Sequence, residues 1–295
     1  MRLGGSVPRA ETVAELDDVA VTADTYGLSA ILAPAGIVDM SDDEAAAFGE
    51  RARALGFVVG ESWFDPNIMT RDLETRAHRV QSLRAMAQKA DIMGCRSVCL
   101  PVGSVDASDH PLAPHPYMFT DECRAEFREL VLRILDGLDL KRTRLLVEPW
   151  NTSFFYRPDA ILDFLHSVDH PSFALHLDQM NMVDQQHYFC TDKLINETFD
   201  LLAPYIGSVH LKDIRWDPTH KFLKFDEVMI GEGVLDYRVY LRRLFALERD
   251  MTAFCEHLQN EGEYAVNFAR LHYMAAELGG GFVRRQPASL VGRPS

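Results

Sequence analysis

Four stretches in the second half of the chain each carry a metal-binding side chain to the end of an apolar, strand-like run. Residues 145–151 close on Glu148-Pro-Trp-Asn151, and residues 173–178 on His176-Leu-Asp178. Residues 206–213 close on His210-Leu-Lys-Asp213, and residues 252–257 on Glu256-His257. In a parallel barrel every strand finishes on the same face, so Glu148, Asp178, His210 and Glu256 would converge there from distant positions. A carboxylate buried at a strand end needs a counter-charge, and three carboxylates with one imidazole make a divalent-metal site. Trp150, His176 and Lys212 each stand two residues from one of these ligands. The period of a strand points them toward the same barrel mouth. Donors of type O, O, N, O suit one borderline-to-hard ion, with Mn²⁺ the expectation and Mg²⁺, Co²⁺ or Zn²⁺ also fitting. No thiolate is placed to make this a structural zinc site.

Further strands are needed to position the four ligands. Candidates lie at residues 2–7, 29–34, 57–63 and 97–102, each with few polar interior positions, as in strands covered on both faces. Amphipathic helices are expected at 11–26, 42–55, 73–93, 121–140, 158–168, 192–202, 237–248 and 264–278. Ser41 with Glu44 reads as a capping box, Gly94 as a helix stop and Pro158 as a first-turn residue. Eight strands alternating with eight helices give an α/β fold, a single (β/α)8 TIM barrel over residues 1–283. A tail of residues 284–295 with little apolar periodicity follows, read as a loose end or an oligomer contact. Two connections on the catalytic face are long, 103–120 and 214–235, and loops of that length shape or cover a substrate site.

Composition narrows the function. Hydrophobic residues at 47% and charged residues at 25% describe an ordinary soluble protein. A net charge of −14 argues against a nucleic-acid partner, since duplex binding rests on neutralising phosphates. No run is long enough to span a bilayer and the first residues carry no apolar signal-like stretch. The five cysteines, at 95, 99, 123, 190 and 255, form no CxxC pair and read as reduced, mostly buried thiols. A cytoplasmic enzyme acting on a small molecule, with neither nucleic acid nor membrane as partner, is the expectation.

The order Glu–Asp–His–Glu, with the H-x-K-D motif at His210–Asp213 and the G-x-G-x-x-D motif at Gly231–Asp236, resembles the xylose-isomerase-like sugar isomerase/epimerase superfamily. The resemblance implies removal of a proton next to a carbonyl of a sugar or keto-sugar, the resulting enediolate being stabilised by a divalent cation. Return of the proton gives epimerisation or isomerisation. In the ketose epimerase branch the two metal-binding glutamates are also the acid/base groups, roles that fall here on Glu148 and Glu256. That branch has a histidine three residues after the metal aspartate, where this chain has Asn181, which can hydrogen-bond a hydroxyl but cannot shuttle a proton near neutral pH. Inosose dehydratases and the catalytic subunits of C-glycoside deglycosidases share the metal site, which makes β-elimination by a lyase the alternative. The resemblance implies a homo-oligomer, or a hetero-oligomer with a small subunit in the deglycosidase case.

Other residues are candidates for the same site. The loop from Asp109 to Phe119 is rich in His, Pro and aromatic residues, and His115 and Tyr117 could supply an acid or base and a wall for an aglycone. Asn151, Trp150, Lys212 and Arg215 are expected to contact substrate, Arg215 because family members often hold a substrate oxygen there. Asp213 could line the same site. Glu61 and Trp63 read as pocket wall or as support for the ligands, and His176 and His257 as groups that orient them. Gly231-Glu-Gly233 is a turn and not a phosphate loop, lacking the Lys-Ser/Thr that would follow.

Overall fold

The computed structural model describes residues 1–287. Eight parallel strands carry the apolar runs: β1 (Arg2–Gly5), β2 (Ala30–Leu32), β3 (Val58–Trp63), β4 (Ser97–Pro101), β5 (Arg144–Glu148), β6 (Phe173–Asp178), β7 (Ile206–Leu211) and β10 (Thr252–Cys255). They pair in the order β1-β10-β7-β6-β5-β4-β3-β2. The Ser29 amide donates to the Leu3 carbonyl at 3.0 Å and draws the start of β2 toward β1, so the barrel is nearly closed. Around it stand α1 (Leu16–Tyr26), α2 (Asp42–Ala54), α3 (Leu73–Met93), α4 (Asp121–Leu135), α5 (Pro158–Val168), α6 (Thr191–Leu202), α7 (Tyr237–Phe245) and α8 (Glu261–Glu277). No described helix is long and apolar enough to cross a membrane.

Local chemistry explains where elements start and stop. Ser41 accepts from the Glu44 amide and Glu44 reaches back to the Ser41 amide, closing the expected box at α2. The first helix begins at Leu16, not at residue 11, because Thr12 and Glu15 close a separate 3₁₀ turn. The fourth ends at Leu135 instead of running to 140, with Gly137 in the left-handed region at φ 67°. The last begins three residues early, at Glu261, because Asn260 accepts from the Glu263 amide.

The long connection 214–235 is not a plain loop. It contains an antiparallel hairpin, β8 (Asp213–Trp216) with β9 (Phe225–Val228). Tyr188 stacks on Phe225 at 5.2 Å and meets the edge of Trp216 at 5.8 Å, burying one face of the hairpin against a distant segment. A two-stranded ribbon needs such support, which no local pattern displays. The start of the tail is ordered. Arg285 pairs with Asp24, donates to the Leu55 carbonyl at 2.8 Å and lies 5.4 Å over the Phe57 ring. The Val283 amide donates to the Met1 carbonyl at 2.9 Å, and the Ser29 hydroxyl bonds the Val283 carbonyl. The rest of the expected tail, 288–295, lies outside the described residues.

Two apolar clusters result. The larger fills the layer between strands and helices with side chains such as Phe48, Phe127, Phe164, Phe199 and Phe268. The smaller joins Cys99, Leu146 and Ala174, with Trp63 against them, on the inward faces of β4, β5 and β6. Phe254 of β10 is fully buried beside β3, where a Cβ on Gly60 would lie 2.6 Å from two of its ring carbons. Gly60→Ala is expected to cost about 1–3 kcal/mol in denaturant unfolding through overpacking. In a Phe254→Leu background most of that cost should vanish; an equal cost in both backgrounds would show that the ring is not the obstacle.

Candidate active site

The four expected ligands meet at one imidazole. His210 Nδ1 lies 2.8 Å from Glu256 Oε1, 3.0 Å from Glu148 Oε1 and 3.9 Å from Asp178 Oδ2. One ligand atom from each of the four falls within 4.8 Å of the others. Barrel register produces this: His210 pairs with Asp178 on one side and with Phe254, two residues before Glu256, on the other.

Each member is held from behind. The far nitrogen of His210, Nε2, is 2.7 Å from Glu61 Oε1, which orients the ring so that Nδ1 faces the three carboxylates. Asp178 Oδ1 accepts from the amides of Met180 and Asn181 at 3.0 and 3.2 Å, turning Oδ2 inward toward Lys212 and the cluster. Trp150 Nε1 donates to Glu148 Oε2 at 2.5 Å. Lys212 Nζ stands 2.5 Å from Glu256 Oε1, 2.8 Å from Asp178 Oδ2 and 5.3 Å over the Trp150 ring. His176 lies against His210 with ring centroids 4.0 Å apart.

Burial and charge set the acidities. Burial pushes the Glu148 carboxyl up to about 7 against the pull of Lys212 and His210. Burial acts the same way on Glu256, but His210 and Lys212 outweigh it and hold that carboxyl well below its ordinary range. Burial also opposes the Lys212 ammonium, and Asp178, Glu256 and Glu148 more than offset it, so the lysine is held protonated. Four buried or nearly buried carboxylates, Glu61 included, thus face one ammonium and one imidazole. The excess negative charge, the inward Asp178 Oδ2 and the oriented Nδ1 fit a divalent cation held by Glu148, Asp178, His210 and Glu256.

Above the cluster is a cavity of about 410 Å³. Glu61, Glu148, His210, Glu256 and His257 give it a polar side, whereas Leu32, Pro34, Ala35, Trp63 and Leu112 give it an apolar one. Arg9 also borders it, paired with Glu11 at 2.6 Å and donating to the Ala33 carbonyl at 3.1 Å. His257 adopts φ 59° and places Nδ1 3.0 Å from Glu227 of β9, which ties the hairpin to the residue after Glu256.

Several expected contacts do not reach this cavity. Of the loop 103–120, Leu112 lines it and His115 and Tyr117 do not. His115 Nδ1 accepts from the Tyr117 amide, capping a 3₁₀ turn, while the Tyr117 hydroxyl donates to Glu126 at 2.8 Å and its ring lies under Arg71. Asn67 and Arg79 hold the same loop outward, Arg79 gripping both Asp109 oxygens at 2.8 and 2.5 Å. Asn151 is exposed and donates to the Val183 carbonyl at 3.3 Å. Arg215 is exposed on β8, opposite Asp226. Asn181 is buried beside Asp178, and neither end of its amide has a hydrogen-bond partner among the described residues.

Asp213 turns out to be structural. Its carboxylate accepts from the amides of Ile214, Gly231, Gly233 and Leu235 at 2.9–3.1 Å. A Cβ on Gly233 would lie 2.2 Å from Asp213 Oδ1, so the aspartate of the first motif and the glycine of the second require each other. Asp236, ending the second motif, caps α7 by accepting from the Val239 amide at 3.0 Å. The grip of Glu61 on His210 was legible only as a carboxylate two residues before Trp63 on an inward face.

A family model for the xylose isomerase-like TIM barrel matches residues 20–272. The chain belongs to that family. Solved structures agree at the level of the fold. A xylose isomerase domain protein from Planctomyces limnophilus is 20% identical, with a TM-score of 0.65 over 88% of this chain and 92% of that one. A xylose isomerase-like TIM barrel protein from Mycobacterium smegmatis, solved in complex with magnesium, is 17% identical, with a TM-score of 0.63 over 89% and 88%. The 3-keto-D-glucoside 4-epimerase of E. coli is 15% identical, with a TM-score of 0.66 over 94% and 99%. Comparison with curated proteins finds no match.

Two predictions follow from the charges. The hydrogen bonds from Arg79 hold the Asp109 carboxyl down at about 2. A depressed carboxylate adds stability above its unfolded pKa and loses it as pH falls through the folded one. Wild type should therefore exceed Asp109→Asn by about 1 kcal/mol or less near pH 6, given solvent screening of an exposed pair. That margin should fade between about pH 4 and pH 2; a constant margin would contradict it. Separately, Mn²⁺ at about 100 times its Kd should raise the unfolding free energy by about 2.7 kcal/mol. The gain, read by thermal denaturation, should disappear in His210→Ala.

Proposed function

We propose that this protein is a divalent-metal-dependent enzyme that removes a proton from the carbon next to a sugar or keto-sugar carbonyl and returns it to give an epimer or isomer. The observation that carries the reading is that Glu148 and Glu256, from strands far apart in sequence, both reach within 3.0 Å of one imidazole nitrogen at the floor of the cavity. One bound divalent ion, Mn²⁺ by preference, would supply a Lewis acid for charge developing on the substrate carbonyl. The chain's own groups do the rest. Glu148 and Glu256 are the proton-handling pair, one removing and the other returning, and their environments drive their acidities in opposite directions. Trp150 fixes the free oxygen of Glu148, and Lys212 steadies Glu256 and Asp178. His115 and Tyr117 have no part in this reading.

One observation favours elimination instead. The apolar wall of Leu32, Pro34, Ala35 and Leu112 offers space for a substituent that a free sugar would not fill. A lyase expelling a β-substituent from a keto-glycoside would use the same carboxylates. Incubating keto-sugars and oxidised glycosides with the Mn²⁺-loaded protein in deuterated water separates the two. Deuterium in recovered sugar with no group lost is expected; release of water or an aglycone would convert the reading to the lyase. Glu148→Gln and Glu256→Gln should each lower turnover by about 10²–10⁴-fold. Full activity in either variant would remove it from proton transfer.

A further inference from the structure

Beneath the floor of the cavity lies a second set of ligand-type atoms that the proposed reaction does not use. Cys99 of β4 and His176 of β6 are fully buried, and Glu61 of β3 is 3% exposed. One ligand atom from each lies within 4.8 Å of the other two. They crowd around His176 Nδ1, with Ser208 Oγ 2.6 Å away, Cys99 Sγ 3.4 Å and Glu61 Oε2 3.7 Å. A ring nitrogen offers one proton or one lone pair, so it satisfies one such neighbour and not three. Glu61 Oε2 has no hydrogen-bond partner among the described residues, although Oε1 of the same carboxylate meets His210. A buried carboxylate oxygen left in that state is costly, and a cation among the three groups removes the cost.

We propose that Glu61, Cys99 and His176 form a second metal site, for Zn²⁺, inside the barrel beneath the Glu148–Asp178–His210–Glu256 cluster. The 3.4 and 3.7 Å separations match neighbouring ligands around an ion with bonds of about 2.0–2.3 Å. A thiolate, an imidazole and a carboxylate select a softer ion than the oxygen-rich set above them. The two negative ligands balance the double positive charge, so the assembled site is neutral in an apolar interior. Binding displaces the thiol proton to solvent and breaks the 2.6 Å contact between His176 Nδ1 and Ser208 Oγ, a separation too short for two ligands of one ion. Glu61 then spans both sites, one oxygen on the lower ion and the other on the ring of His210. The inference is independent of the sugar reaction.

Cobalt substitution in the whole chain tests it. The metal-free protein is titrated with Co²⁺ while the near-ultraviolet band of thiolate-to-cobalt charge transfer is followed, a band the O, O, N, O cluster cannot produce. Two bound equivalents are expected, the band accompanying one of them. Cys99→Ser should lose the band and one equivalent, whereas Cys190→Ser, away from the barrel interior, should keep both. If Cys99→Ser fails to fold, wild type and Cys190→Ser still decide the matter. One equivalent without a band overturns the lower site and leaves the upper one standing. A band that vanishes in Cys190→Ser, or survives in folded Cys99→Ser, also overturns it. No bound ion at all sinks both sites.

Discussion

Uncompensated negative charge at one end of the barrel is the constraint on which the rest of this structure depends. Glu61, Glu148 and Asp178 are at most 3% exposed, so water contributes little to their solvation. A buried carboxylate is tolerated when it is paired and its remaining lone pairs are bonded. The surroundings follow that rule: Lys212 between Asp178 and Glu256, the indole of Trp150 on Glu148, two backbone amides on Asp178 and an imidazole between Glu61 and Glu148. The negative charge they do not neutralise is what one small cation shared by Glu148, Asp178, His210 and Glu256 would balance.

Geometry comes from the strands and permanence from the loops. Adjacent parallel strands in register put Asp178 beside His210 and, one strand on, Phe254 beside His210, so ligands distant in sequence become neighbours without any local motif. The small residue Gly60 lets Phe254 fill the space beside β3. On the outer rim, Asp213 gathers the amide of its neighbour Ile214 and three from the segment that follows the hairpin, and this fixes where β7 ends and α7 begins. Binding groups and framework are interleaved within His210–Asp213: the histidine and lysine face the cluster while the aspartate faces away into the loop.

The barrel and the convergence of Glu148, Asp178, His210 and Glu256 were legible in the sequence because both rest on periodicity. Buried strands leave apolar runs, and a ligand at the end of each run stands out. What periodicity does not encode was misplaced. His115 and Tyr117 lie in a loop whose direction is set by Arg79 on Asp109, 30 residues apart, and by Glu126 on Tyr117 from the following helix. Arg215 falls on a hairpin that depends on stacking with Tyr188. Asp213 looked like a site residue because it neighbours one, and only the amides around it reveal its work. Glu61 was read as wall or support, and its contact with the far nitrogen of His210 gives the second.

The barrel's weakest seam lies between its first two strands, where a single bond from Ser29 stands in for a ladder. The segment after the last helix returns to that place, its Val283 joined to Met1 and to Ser29. The wall is therefore sewn shut by chain from both extremities, which reach the seam together. Breathing of the cylinder would start along that seam, whose neighbouring strands β10 and β3 lead into Glu256 and carry Glu61, so loosening there would be felt at the cavity rim.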